Sequence, residues 1–173
     1  MLDIKVGGCT IGDILNMTIN QAIEFFTEKC HDKLASNIID KLKTLQDVGL
    51  GYLKLGQSSS TLSGGEAQRI KLAYYLSTNH NKTNTLFIFD EPTTGLHFHD
   101  ISKLHNALCM LIDKGNSIVV IEHNPEIIKC ADWIIDLGPE GGEEGGNIVC
   151  QGTPEEIVRH KKSYTAQCLV SKV

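Results

Sequence analysis

Four successive large apolar side chains, Leu86-Phe87-Ile88-Phe89, run directly into two carboxylates, Asp90 and Glu91. An apolar run without polar alternation reads as a strand buried on both faces, as in a parallel sheet covered by helices. The next periodic segment has apolar residues at helical spacing, Ile101, Leu104, Leu108, Leu111 and Ile112, and Gly115 is placed to stop it. A second buried strand follows, Ser117 to Ile121, ending at Glu122-His123. Strand, helix and strand in this order predict an α/β layer, a parallel sheet flanked by helices. Both strands then end on one edge of the sheet, the carboxyl edge where open α/β sheets take their ligands.

Ahead of this layer the texture is helical. Thr18 and Gln21 form a capping box before a helix with Ile19, Ala22, Ile23 and Phe26 on its apolar face. A second helix is predicted from about Asp32 to Val48, with Leu34, Ile38, Leu42 and Leu45 as its stripe and Gly49 as a left-handed stop. At the very start, Leu2 to Val6 alternates like a short strand before Gly7-Gly8, and the glycines and serines from Gly49 to Ser60 mark a loop. That loop leads to Leu62-Ser63-Gly64-Gly65-Glu66-Ala67-Gln68-Arg69. Ser63 fits an N-cap, with Glu66 three residues later to close a second capping box. Gly64 and Gly65 leave the first-turn N–H groups unobstructed, which suits a phosphate. In the helix that follows, Ile70, Ala73, Tyr74 and Ser77 share a face, while Arg69 and Lys71 point elsewhere. An ordinary capped helix is the plainer reading of this stretch alone. The expected division is a helical part over 1–80 and an α/β part over 81–173.

Beyond His123, Asn124-Pro125 starts a short helix to about Cys130. Trp133 to Leu137 and Asn147 to Gln151 read as further strands, separated by the glycine-rich loop Gly138 to Gly146. Thr153-Pro154-Glu155-Glu156 is a capping box for a last helix, whose final turn would carry the basic cluster Arg159 to Lys162. The tail after about Tyr164 has no strong periodicity and is expected to fray.

Composition narrows the partners. No apolar run in the 173 residues approaches the roughly 18 residues of a membrane span, and no signal peptide is visible, so a cytoplasmic location is expected. The net charge of −5 has the wrong sign for gripping nucleic acid by bulk electrostatics. The six cysteines include no CxxC pair, which fits reduced thiols and argues against a zinc knuckle. Cys30-His31 and His97-x-His99 lack metal-ligand spacing with partners nearby.

The strand ends carry the chemistry. A buried strand delivering two carboxylates is a Walker B arrangement. Asp90 can hold Mg²⁺, through water, because that ion prefers oxygen ligands and sheds its shell reluctantly. Glu91, one residue on, can orient or deprotonate an attacking water. His123 at the next strand end can donate to a γ-phosphate. The plain alternative for all three is a set of solvated strand caps.

The Ser63–Arg69 stretch resembles the signature motif of the ABC ATPases, Pro92-Thr93-Thr94-Gly95-Leu96 resembles the segment that follows their Walker B, and His123 matches their switch histidine. GLGYLKLGQ, FDEPTTGLHFHD, VIEHN and ADWIIDLGPEGG together are similar to the UvrA family, the damage-recognition subunits of bacterial nucleotide excision repair, over about Cys9 to Val158. The resemblance implies a P-loop NTPase-like ABC ATPase module, specifically the carboxyl-terminal part of the second one. It implies ATP and Mg²⁺ as cofactors and damaged DNA, UvrB and the remaining UvrA ATPase parts as partners, with no membrane. Ser63, Gly64 and Gly65 would then serve one composite ATP site, and Asp90, Glu91 and His123 another. The chain departs from the pattern in one respect: GxxxxGK[ST], the Walker A loop, occurs nowhere in it. The module is therefore expected to be incomplete, lacking the Walker A strand and loop as in a fragment of a longer protein. The family's zinc-bearing insertion is missing as well, so zinc is expected only upstream. Two other readings stand beside this one, a transporter or translation-associated ABC module and a non-catalytic docking fragment.

Overall fold

The computed structural model describes residues 4–77, 84–138 and 145–170. The chain forms two compact units, Met1–Val120 and Ile121–Val173.

In the first unit, β1 (Lys5–Val6) pairs antiparallel with β2 (Cys9–Thr10). Gly7 and Gly8 turn between them, both at positive φ. Leu2 and Asp3, part of the expected opening strand, lie outside the described residues. Sequence periodicity misses the next element, α1 (Ile11–Asn16), whose capping box is built by Thr10 and Asp13. The Thr18 box starts α2 (Ile19–Lys29), and Ile19, Ala22 and Phe26 are buried as their spacing requires. α3 (Lys33–Asp47) is capped by the Asp32 carboxylate, and Gly49 takes the left-handed conformation just beyond it. Its predicted stripe is only half right. Leu42 is buried, but Leu34 and Ile38 are exposed, and Ala35 takes the inward position near the helix start. α2 and α3 pack together with α4 (Gly64–Ser77), and the core they share extends to α5 (Phe98–Asp113).

β3 (Leu86–Asp90) and β4 (Ser117–Ile121) are neighbours in a two-stranded sheet, joined through α5 in the βαβ manner that parallel pairing requires. The expectation of burial on both faces fails for β3. Phe89 is buried and Phe87 packs on the core, whereas Leu86 and Ile88 are 58% and 65% exposed. Successive side chains of a strand point to opposite faces, and helices cover only one face of this pair.

The second unit holds α6 (Pro125–Ile128), β5 (Ile134–Gly138), β6 (Asn147–Gly152), α7 (Pro154–Ile157) and α8 (Tyr164–Leu169). Its strands pair antiparallel, with an irregularity between Asp136 and Leu137. The glycine-rich loop expected between them falls mostly on residues 139–144, outside the described residues.

Two expectations for the end of the chain are corrected. α7 stops at Ile157, so the basic run Arg159 to Lys162 lies in an exposed turn beyond that helix. The tail is not frayed up to Val170: Ser163 caps α8, and Ala166 and Leu169 are buried. The anchor is Asp136, which accepts hydrogen bonds from Ser163 Oγ (2.6 Å) and Thr165 Oγ1 (2.7 Å). Short helices show too few turns to reveal periodicity, which is why the sequence pattern missed this one. Among the described residues, no helix is long and apolar enough to cross a membrane.

Candidate functional site

The capping box at the start of α4 forms as read. The Ser63 amide donates to Glu66 Oε2 (2.7 Å), and the Glu66 amide donates back to Ser63 Oγ (3.2 Å). The other carboxylate oxygen of Glu66 accepts from Tyr52 Oη at 2.7 Å. The Ser63 amide, followed by the Tyr52 hydroxyl, holds the Glu66 carboxyl below its ordinary range. Burial, and then the bond to Glu66, pushes the Tyr52 phenol up. Both Glu66 oxygens are thus engaged, and the Ser63 hydroxyl accepts from the Glu66 amide.

The two glycines differ. Gly64 is exposed, and a Cβ added there would meet nothing within 4 Å. Gly65 is buried, and a Cβ would sit 3.1 Å from both Arg69 Nη1 and the Thr94 carbonyl oxygen, and 3.5 Å from the Glu91 carbonyl oxygen. The start of the signature helix is therefore seated on the loop that follows β3.

That loop is where Asp90 and Glu91 stand, both exposed. Gln68 clasps the backbone of Asp90 from both sides of its amide: Nε2 donates to the Asp90 carbonyl (2.8 Å), and the Asp90 N–H donates to Oε1 (3.1 Å). Glu91 has φ +46°, a left-handed conformation that costs a residue with a side chain about 1–3 kcal/mol. The Thr94 amide closes the turn on the Glu91 carbonyl at 3.1 Å, with Thr94 Oγ1 3.4 Å from the Glu91 carboxylate. An exposed pair of carboxylates at a strand end is a set of hard oxygen donors, and it suits Mg²⁺ bound through its water shell.

Arg69 corrects the predicted phase of α4. It is fully buried, as are Leu72 and Ala73, while Tyr74 is 57% exposed. Its Nη1 donates to the carbonyls of Pro92 (2.6 Å) and Thr94 (3.2 Å), and Nη2 reaches Tyr52 Oη at 3.5 Å. The buried series Gly65, Arg69, Leu72 and Ala73 has helical spacing. Had the stripe been phased on Gly65, the sequence would have placed Arg69 on it. Gln68, Arg69 and Tyr52 are the site residues that sequence reasoning missed.

His123 belongs to the second unit, just after β4, and is exposed. Its amide and that of Asn124 both donate to the Glu122 carboxylate, at 3.1 and 3.2 Å. Asn124 in turn caps α6 through the Glu126 amide. Of the two His/Cys coincidences, His99 has a side chain outside the described set. Among the described residues, no three His, Cys, Asp or Glu side chains come together as metal ligands would.

A signature helix seated on a Walker B loop, with a β-strand and crossover helix behind it, defines the class: an α/β module of the ABC ATPase type, incomplete because the chain contains no Walker A sequence. The comparisons carry this further. No protein-family profile matches the chain. It is 55% identical over 168 residues to UvrABC system protein A of Rhizobium meliloti, covering 97% of this chain and 16% of that protein. Identity to the Clostridium perfringens protein of the same name is also 55%, again over 97% of this chain but 17% of that protein. The fold superposes on UvrA2 from Deinococcus radiodurans with TM-score 0.79 and 42% identity, covering 99% of this chain and 20% of that one. The chain is UvrA-like along nearly its whole length, and corresponds to a segment of about a sixth of that protein.

Proposed function

We propose that this chain supplies the signature, Walker B and switch-histidine elements of a UvrA ATPase module, within a protein that couples ATP hydrolysis to DNA damage recognition. In this reading, residues 1–80 form the signature-bearing part and 81–173 the Walker B part of one module. The observation that supports it most is the seating of the Gly65 end of α4 on the Asp90–Thr94 loop, which joins the two motif regions into one structure. Ser63, Gly64 and Gly65 present a helix start to the nucleotide held by a different module. Glu91 orients the attacking water and accepts its proton, as the bond from phosphorus to the leaving ADP oxygen breaks. Asp90 holds the hydrated Mg²⁺, which when bound neutralises charge on the phosphates. His123 as a γ-phosphate donor rests on the resemblance alone. Damaged DNA, UvrB and a cytoplasmic setting follow from the same reading, as does zinc in other parts of the protein.

The exposed apolar side chains of β3, Leu86 and Ile88, suit the Walker A-bearing remainder of the module as the layer that covers them. The absence of GxxxxGK[ST] favours a second reading for the chain by itself, a docking piece that hydrolyses nothing until Walker A is supplied.

The test is single-turnover hydrolysis beside equilibrium nucleotide binding, in the chain completed with the Walker A-bearing remainder of a UvrA relative. Glu91→Gln is expected to keep binding and slow the chemical step about 10²–10⁴-fold. Asp90→Asn is expected to weaken Mg-nucleotide binding and hydrolysis together. Equal loss of binding in the two variants contradicts the separate roles.

A further inference from the structure

The guanidinium of Arg69 is wholly buried, yet the hydrogen bonds it makes go to backbone carbonyls and a phenol. Those carbonyls belong to Pro92 and Thr94, one and three residues after Glu91. Gln68, the preceding residue on the same helix, holds both backbone groups of Asp90, immediately before Glu91. Two adjacent side chains of α4 therefore bracket one left-handed residue, at φ +46°. A non-glycine residue stays in that region only when its surroundings over-determine it. Bonds to main-chain atoms fix the path of the loop directly. The buried charge is balanced one step away, since Tyr52, which receives Nη2 of Arg69, donates to the Glu66 carboxylate. The same carboxylate caps the helix at Ser63.

We propose that Gln68 and Arg69 are positioning residues that hold Glu91 in its working conformation, and that through them α4 couples the signature end of the module to its Walker B loop. This rests on the role given above to Glu91. Ser63 and Arg69 are separated by only about 9 Å of helix at 1.5 Å per residue. Pressure of a nucleotide on the signature thus reaches the loop through one rigid element. In an assembly where signature and Walker B serve different nucleotides, this links occupancy of one site to water activation at the other.

The experiment measures kcat and KM for Mg-ATP in the completed protein, for Gln68→Glu, Gln68→Ala, Arg69→Lys and, as reference, Glu91→Gln. Gln68→Glu keeps the shape but turns an oxygen lone pair on the Asp90 carbonyl. Lysine at 69 offers a compact ammonium in place of a planar fork and cannot hold the same pair of carbonyls in the same geometry. Each of these variants is expected to lose about tenfold or more in kcat, with KM within about twofold, the signature of a misplaced group in a formed site. A protonated carboxyl regains an O–H donor beside a carbonyl acceptor. The kcat of Gln68→Glu relative to wild type is therefore expected to climb as pH falls, and that of Gln68→Ala is not.

Wild-type kcat in Gln68→Glu and Arg69→Lys, with Glu91→Gln impaired, overturns the proposal and leaves the role of Glu91 standing. A kcat loss in Gln68→Glu that does not recover at low pH also overturns it. Unchanged turnover in Glu91→Gln overturns both readings. Should Arg69→Lys fold poorly, hydrogen exchange of the 173-residue chain decides the matter. Gln68→Glu is expected to speed exchange of the Thr94 amide, which donates to Glu91, while α4 amides stay protected. Unchanged protection at Thr94 rejects the clamp.

Discussion

At Gly65 close packing by itself requires the absence of a side chain. With the Thr94 carbonyl and the Arg69 guanidinium each 3.1 Å from where a Cβ would stand, a side chain forces the loop or the arginine to give way. Gly65→Asp is therefore expected to impair both hydrolysis and nucleotide-driven closure of the completed protein. Ser63→Arg, at an exposed position, is expected to impair hydrolysis and closure as well, while costing the fold only its cap bond, about 1 kcal/mol. Nucleotide affinity measured beside thermal melting separates the two. Glu66 gives a pH test. Its carboxyl is held below the ordinary value of 4.5, first by the Ser63 amide and then by Tyr52. A depressed folded pKa means that the ionised form stabilises the fold above 4.5, and that this stabilisation is lost as pH falls through the lowered folded value. Glu66→Gln keeps an acceptor at the third helical position but no longer titrates. Its melting temperature is expected to fall less steeply than that of the wild type below about pH 4.5; parallel curves would contradict this. The capping box was legible because caps are local chemistry. Arg69 was not, because a charged side chain is placed outside by default and only its buried carbonyl partners, more than twenty residues downstream, bring it in.

Whole elements were legible where apolar spacing was long and one-sided. α2 and α5 bury the residues their periodicity selects, with the exceptions of Ile23 in α2, half-buried, and Ile112 at the end of α5, exposed. α3 shows the limit of the method. Its stripe is regular, but near the helix start Ala35 and not Leu34 faces the core, leaving Leu34 73% exposed against 7% for Leu42. Leu42→Ala is expected to cost about 2–5 kcal/mol in chemical denaturation, as in other cores. Leu34→Ala is expected to stay within about 0.5 kcal/mol. Comparable losses at both positions would mean that the first turns of α3 are covered in solution. In the second unit, α8 escaped notice because it is too short to show periodicity, and part of what holds it is Asp136 on a distant strand.

At the scale of the molecule, the apolar run Leu86–Phe89 correctly announced a strand and a crossover, but it overstated the burial. Sequence records the environment for which a strand is built, and the chain supplies helices for one face of β3. Ile135, Leu137 and Ile148 tell the same story in the second unit, where Leu137 and Ile148 are register partners and all three are exposed. Exposed apolar faces and a missing phosphate loop lead to one expectation: these elements act when the Walker A-bearing remainder is joined to them. The most direct measurement is steady-state ATP turnover by the chain alone and by the chain joined to that remainder from a UvrA relative. The account predicts no turnover alone, turnover when joined, and its loss in Glu91→Gln. Turnover by the chain alone that Glu91→Gln removes, or none when joined under conditions where both parts are folded, would contradict it.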